Sequence, residues 1–231
     1  QGQYRNLEIH IKNKAAHFGV SETKARDMIS TAIAERSRPQ DVLLANMSEV
    51  ARMCREHGVA LASHDDDTVA KANLMADLGS VIAEFPVTLE AAEVAIERGI
   101  MTAMGAPNAM RGQSYSGNLS ARQAHAAGLL SILAADYHPA AILPAIMALA
   151  DQDLEGLPGA ARLATANPAR ALGLTDRGTI EIGKRADLVL VDPQGRVAWT
   201  LRGGETIFSN GTVGASSAQP ASVVKKLSHA G

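Results

Sequence analysis

One histidine and three consecutive carboxylates, His64-Asp65-Asp66-Asp67, directly follow the apolar run Gly58-Val59-Ala60-Leu61-Ala62. Thr68 and the helix-like run 69–78 come next. The order is strand, polar cluster, helix. Desolvating such a group at a strand end is costly unless it is hydrogen-bonded, paired or ligating. Three further apolar runs end in comparable groups: Glu84 before Phe85-Pro86, Gly105-Ala106-Pro107-Asn108, and Asp136-Tyr137-His138. One imidazole with several carboxylates is a donor set for Zn²⁺, Mn²⁺ or a mixed site rather than for a thiolate-seeking metal. A bound ion lowers the pKa of its water toward 7, and Asp136 could then take the proton as general base. Each residue has a structural alternative. Asp67 or Thr68 could cap the following helix, Asp136 could cap the one beginning at Pro139, and His64 could be a plain hydrogen-bonded residue. His138 is a further ligand candidate better suited to a supporting role. Glu84, flanked by Ile82, Ala83 and Phe85, should either bind the site or be paired.

The second chemical signal is the stretch 108–118, with Asn108, Arg111, Gly112, Ser114, Ser116, Gly117 and Asn118. Arg offers bidentate charge-assisted bonds to phosphate, Gly admits close backbone N–H groups, and hydroxyls and amides add donors. Asn118 or Ser120 can cap the next helix, whose N-terminus favours an anion. An anionic, phosphorylated substrate is the reading of this loop; an ordinary turn-rich loop is the alternative.

These groups need elements to position them. Strand-like runs at 58–63, 79–86, 99–105 and 128–136, each opening on Gly, alternate with helical runs at 69–78, 88–98, 119–127 and 139–149. Near-continuous apolar strands alternating with helices predict a parallel sheet covered on both faces. The α/β class follows, as a (β/α)-barrel portion or an open doubly wound sheet, with all four polar tips on one face. No Gly-x-Gly-x-x-Gly follows the first strand and no phosphate-loop Gly-Lys-Ser/Thr occurs, which weighs against nucleotide-binding sheets.

Upstream, 1–13 reads as irregular, and helices are expected at 24–38, with Ser21 as N-cap, and at 41–57. His10 and His17 read as surface or packing residues, and Cys54 as an inert thiol. Beyond Asp151, one helix is expected over 156–172, then short strands with Gly turns at 178–184, 186–192, 196–200 and 205–209. The expected organisation is a barrel portion at 1–172, a small β module at 173–213, and a tail at 214–231. Net charge of −2 gives no sign of a nucleic-acid or anionic-membrane surface. A single cysteine excludes an internal disulfide framework and suggests a reducing, cytoplasmic setting. No apolar run approaches the ~20 residues a membrane span needs. A homo-oligomer is left open.

The run Thr165-Ala166-Asn167-Pro168-Ala169-Arg170-Ala171-Leu172-Gly173-Leu174, with Gly178-Thr179-Ile180-Glu181-Ile182-Gly183-Lys184-Arg185-Ala186-Asp187-Leu188-Val189, resembles the C-terminal signature of the amidohydrolase superfamily. The resemblance implies the C-terminal half of a distorted (β/α)₈ TIM-type barrel plus part of a small β-sandwich. More narrowly, Ser63 to Thr68, Glu84-Phe85-Pro86, Gly105 to Asn108 with Arg111-Gly112, Ser116 to Ser120, and Ala135-Asp136-Tyr137 resemble the phosphonate-metabolism branch, over about 1–211. That implies hydrolysis of α-D-ribose 1-methylphosphonate 5-triphosphate to the 5-phosphate and diphosphate, within the carbon–phosphorus lyase pathway. It also implies one or two divalent ions, Zn or else Mn or Fe.

Carried over by position, His64 matches the ligand histidine of strand five and Asp136 the catalytic, metal-binding aspartate of strand eight. Glu84 stands where strand six normally offers histidine. The superfamily's His-x-His of strand one and the strand-four ligand have no counterpart in this sequence. The expected site is therefore Asp136 as the catalytic residue, with His64, Asp136 and Glu84 on the metal. Asn108, Arg111, Ser114, Ser116 and Asn118 are expected on a phosphorylated or phosphonylated sugar, with Asp65, Asp66 and His138 as secondary candidates. A cyclic-amide hydrolase or deaminase of the same superfamily, or a catalytically incomplete fragment or assembly subunit, are the competing expectations.

Overall fold

The computed structural model of the chain describes residues 7–114 and 118–212. It divides into two compact units, Gln1–Gly178 and Thr179–Gly231. The first holds a four-stranded parallel sheet in the order β1-β2-β3-β4. Its strands are β1 (Leu61–His64), β2 (Ser80–Glu84), β3 (Met101–Gly105) and β4 (Ile132–Ala134). The helices after them are α4 (Val69–Asp77), α5 (Leu89–Glu97), the pair α6 (Ala106–Arg111) and α7 (Ala121–Ala126), and α8 (Ile142–Ala150), which is entered through a 3-10 turn at Pro139–Ala141. Short parallel strands in chain order require crossovers, which α4, α5 and the pair α6–α7 supply. The register sets His64 beside Glu84 and Gly105 beside Ala134, so all four C-terminal tips share one edge.

Local chemistry fixes the helix starts. Thr68, Thr88 and Ser120 each accept a hydrogen bond from the backbone N–H three residues on. Ser120 and Gln123 complete a reciprocal capping box. The cap before α4 is Thr68, so Asp67 does not serve that role. The core joins Met104, Leu130, Leu133, Ala145, Ile146, Leu149 and Leu163 with the alanines of α6 and α7. Alanine-rich helix faces let these short elements lie close to the sheet.

Several expectations are corrected. The irregular start is in fact α1 (Leu7–Phe18), which packs Ile11 and Ala15 against Ala25 and Ile29 of α2 (Glu22–Arg36). Its charged residues hid a narrow apolar stripe. α3 (Gln40–Glu56) forms where expected, but of its apolar side only Ala51 is buried. The start of the expected polar loop is α6, with Pro107 in its first turn and Gly112 closing it at φ 83°. The expected helix over 156–172 is two, α9 (Leu157–Arg162) and α10 (Ala166–Ala171). Between them the Leu163 carbonyl accepts the Leu133 N–H of β4, a bond that a continuous helix would forfeit.

The first unit extends to Gly178. The chain folds back on α10 there: Leu174 N–H donates to Ala169 O. A Cβ on Gly178 (φ 96°) would come 2.7 Å from that of Ala169. The second unit holds an antiparallel sheet of β5 (Leu188–Val191), β6 (Val197–Arg202) and β7 (Glu205–Ser209). The stretch 178–184 is turns rather than a strand. The expected tail at 214–231 lies outside the described residues. Among the described residues no helix is long and apolar enough to cross a membrane.

One buried hydrogen-bonded pair, invisible in the sequence, ties α7 to the turn after α8. His125 Nε2 lies 2.9 Å from Asp153 Oδ2, and both side chains are largely buried. Burial pushes the Asp153 carboxyl up, but the Glu155 N–H and His125 together outweigh it and hold the group below its ordinary value. A depressed folded pKa stabilises the fold above the unfolded carboxylate pKa, and that contribution is lost as pH falls through the folded one. Asp153→Asn is expected to cost about 1–3 kcal/mol at neutral pH and to flatten the acid limb of stability. Urea midpoints measured from acid to neutral pH check this; an unchanged acid limb would refute it.

Candidate active site

The strand tips enclose a cavity of about 310 Å³ lined by His64, Asp65, Phe85, Pro86, Met104, Asn108, Arg111, Ser114, Asn118, Leu119, Asp136 and Tyr137. That size suits a small ligand. The sequence brought His64, Asp136 and Arg111 under suspicion from three separate segments, and they line one space. The backbone at the tips is unusual. Asp65, Phe85 and Asp136 have φ of 54°, 53° and 54°, in the left-handed region. Non-glycine residues there cost about 1–3 kcal/mol and persist where the surroundings impose them, often at functional sites.

His64 Nδ1 stands 3.0 Å from Asp65 Oδ2, and its Nε2 stands 3.9 Å from Glu84 Oε2. A carboxylate beside Nδ1 favours a proton there and an open lone pair on Nε2, the arrangement of carboxylate-oriented metal-binding histidines. Two donors each ~2.0–2.2 Å from one ion stand about 3–4 Å apart, so His64 and Glu84 fit a divalent cation in chemistry and spacing. They form a partial set. Among the described residues no group of three or more His, Cys, Asp or Glu side chains stands ready to hold an ion. Glu84 is not buried as expected: its side chain is 39% exposed and faces His64. The Phe85 ring packs on His64 with centroids 5.5 Å apart.

Asp136 closes the opposite side, above Gly105. A Cβ on Gly105 would come 2.9 Å from Asp136 Oδ2 and 3.2 Å from Phe85 Cε1. The glycine is thus what lets the carboxylate and the ring approach the tip of β3. Arg111 donates from Nη1 to the Tyr137 hydroxyl at 2.7 Å. Asn108 accepts the Ala121 N–H with Oδ1, which leaves its Nδ2 to donate. Ser114 and Asn118 line the cavity, whereas Ser116 lies outside the described residues.

Two secondary candidates are placed elsewhere. Asp66 is 1% exposed and does not line the cavity. It accepts from Ser63 Oγ at 2.5 Å and pairs with Lys71. His138 is exposed, and its backbone serves the turn into α8. The sequence reading missed Phe85, Tyr137 and Lys71. The first two adjoin residues it singled out, and their adjacency was the available signal.

Residues 8–215 match the amidohydrolase family. Over 192 residues the chain is 43% identical to the alpha-D-ribose 1-methylphosphonate 5-triphosphate diphosphatase of Escherichia coli (strain K12), covering 82% of this chain and 50% of that protein. The chain thus spans about half the length of the curated relative it matches. Among solved structures, N-acetyl-D-glucosamine-6-phosphate deacetylase from Mycobacterium smegmatis superposes with a TM-score of 0.54 at 20% identity, over 71% of this chain and 51% of that one. The ochratoxinase of A. niger gives 0.54 at 15% identity, over 73% and 46%. At those identities the likeness is one of fold: parallel βα units of an amidohydrolase-type barrel. Members of such a family typically depend on a metal. The strand order, the donors at the tips and the family match over 8–215 agree: this chain belongs to the amidohydrolase family.

Proposed function

We propose that the protein containing this chain hydrolyses α-D-ribose 1-methylphosphonate 5-triphosphate to the 5-phosphate and diphosphate. The observation that carries the reading is the gathering of His64, Asp136 and Arg111 around one cavity, in a chain 43% identical to a diphosphatase of that substrate. His64 and Glu84 would hold a divalent ion, Zn, Mn or Fe, together with ligands from outside this pair. Bound there, the ion would polarise a phosphoryl oxygen and lower the pKa of the attacking water.

The chain's own residues do the rest. Asp136 takes the proton of the attacking water at its carboxylate and later returns it. Arg111 neutralises phosphate oxygens, held in place until then by Tyr137. Asn108 Nδ2, Ser114 and Asn118 are placed to donate to phosphate or phosphonate oxygens. Phe85, Met104 and Leu119 supply the apolar wall that limits water.

The test is ³¹P NMR of the products formed by the purified full-length protein, with its metal content measured alongside. Diphosphate and the 5-phosphate, with Zn, Mn or Fe bound stoichiometrically, are expected. Orthophosphate alone, or no turnover with these metals supplied, would overturn the assignment. Arg111→Ala is expected to raise KM about tenfold or more, the worth of a charge-assisted hydrogen bond, with a smaller change in kcat. Steady-state kinetics check this, and an unchanged KM would reduce Arg111 to a structural residue.

A further inference from the structure

We propose that Lys71 is a positioning residue for this site: its ammonium locks the turn at the end of β1 and thereby sets the orientation and tautomer of His64. The inference rests on reading His64 as a site residue, not on the identity of the reaction.

Lys71 lies in the first turn of α4. A cation there opposes the positive end of the helix dipole, so local partners must hold it. Its Nζ donates to the carbonyl oxygens of His64 and Asp65, at 2.8 Å each. It also stands 3.3 Å from Asp66 Oδ1. Asp66 is 1% exposed and is fixed from its other oxygen by Ser63 Oγ. A buried carboxylate needs a cation, and Lys71 stands against it. The ammonium therefore joins three consecutive residues, His64, Asp65 and Asp66, at the point where the chain leaves the sheet.

That turn decides what His64 can do. Asp65 lies in the left-handed region at φ 54°, and there its carboxylate reaches back to Nδ1 of the preceding histidine. Relaxed to extended backbone, Asp65 would project away from the ring, because neighbouring side chains of an extended chain point to opposite faces. The order of control runs from Lys71 to the Asp65 backbone, from the Asp65 carboxylate to the imidazole, and so to an open Nε2. Lys71 does not line the cavity; it acts through residues that do.

The test is long-range ¹H–¹⁵N NMR of histidine-labelled, metal-free protein at roughly pH 8, above the ordinary histidine range. Unsubstituted protein should show His64 protonated at Nδ1. Lys71→Met should give a mixture of both tautomers, and Lys71→Arg, which keeps the charge, should restore part of the original signal. In the diphosphatase assay, K71M should lower kcat by about 10–100-fold, as loss of a ligand-orienting partner does, with KM little changed. A K71M protein that melts earlier yet keeps the His64 signature would overturn the proposal by making Lys71 a stabilising residue only. If K71M does not fold, Lys71→Gln, which keeps one donor, is read the same way. A shifted His64 signature in a protein whose unsubstituted form releases no diphosphate would uphold the role of Lys71 and refute the assigned reaction.

Discussion

Asp136→Asn is expected to lower turnover by about 10²–10⁴-fold, the usual worth of a positioned general base, while leaving the fold intact. Asparagine matches aspartate in shape and is among the residues that tolerate the left-handed backbone that Asp136 adopts at φ 54°. The side chain is exposed, so no buried partner is orphaned, and stability should stay within about 0.5 kcal/mol. What disappears is the proton acceptor in the cavity. The kcat for diphosphate release, beside a thermal melt, measures both arms. Full activity in D136N would remove Asp136 from the mechanism.

Gly105→Ala should reduce kcat by about 10²-fold, the order of loss that an ångström-scale misplacement of a reacting group brings. Gly105 has ordinary extended dihedrals, φ −70° and ψ 132°, so alanine can adopt the backbone without strain. The added methyl meets Asp136 Oδ2 at 2.9 Å and the Phe85 ring at 3.2 Å. Of these, the carboxylate is the free end of an exposed side chain and gives way first. The variant should therefore fold while its carboxylate sits off position, which separates geometry from stability. Pairing it with D136N sharpens the test. If both act through the same carboxylate, the double variant should be little worse than D136N alone. Additive losses would mean that Gly105 matters for another reason, such as the Phe85 ring against His64.

The sequence alone determined a good deal. Alternating apolar strands and helices specify a parallel sheet because strands buried on both faces read as continuous apolar runs, and β1 to β4 lie where those runs lie. Ser21 caps α2 because its hydroxyl and the Lys24 N–H are only three residues apart. The three chemical segments at His64, Arg111 and Asp136 were legible because a parallel sheet brings all strand tips to one edge.

The rest depended on contacts between residues far apart in the chain. The break between α9 and α10 follows from the Leu163 carbonyl meeting the Leu133 N–H of β4, which no helical pattern encodes. Exposure of Glu84 toward His64 depends on the register of two strands. The His125–Asp153 pair and the Arg111–Tyr137 contact span 28 and 26 residues. Lys71 looked like an ordinary helix lysine. Sequence patterns report which face of an element is apolar, but only tertiary structure sets the distances between polar groups on different elements, and those distances decide whether His64 is oriented for chemistry.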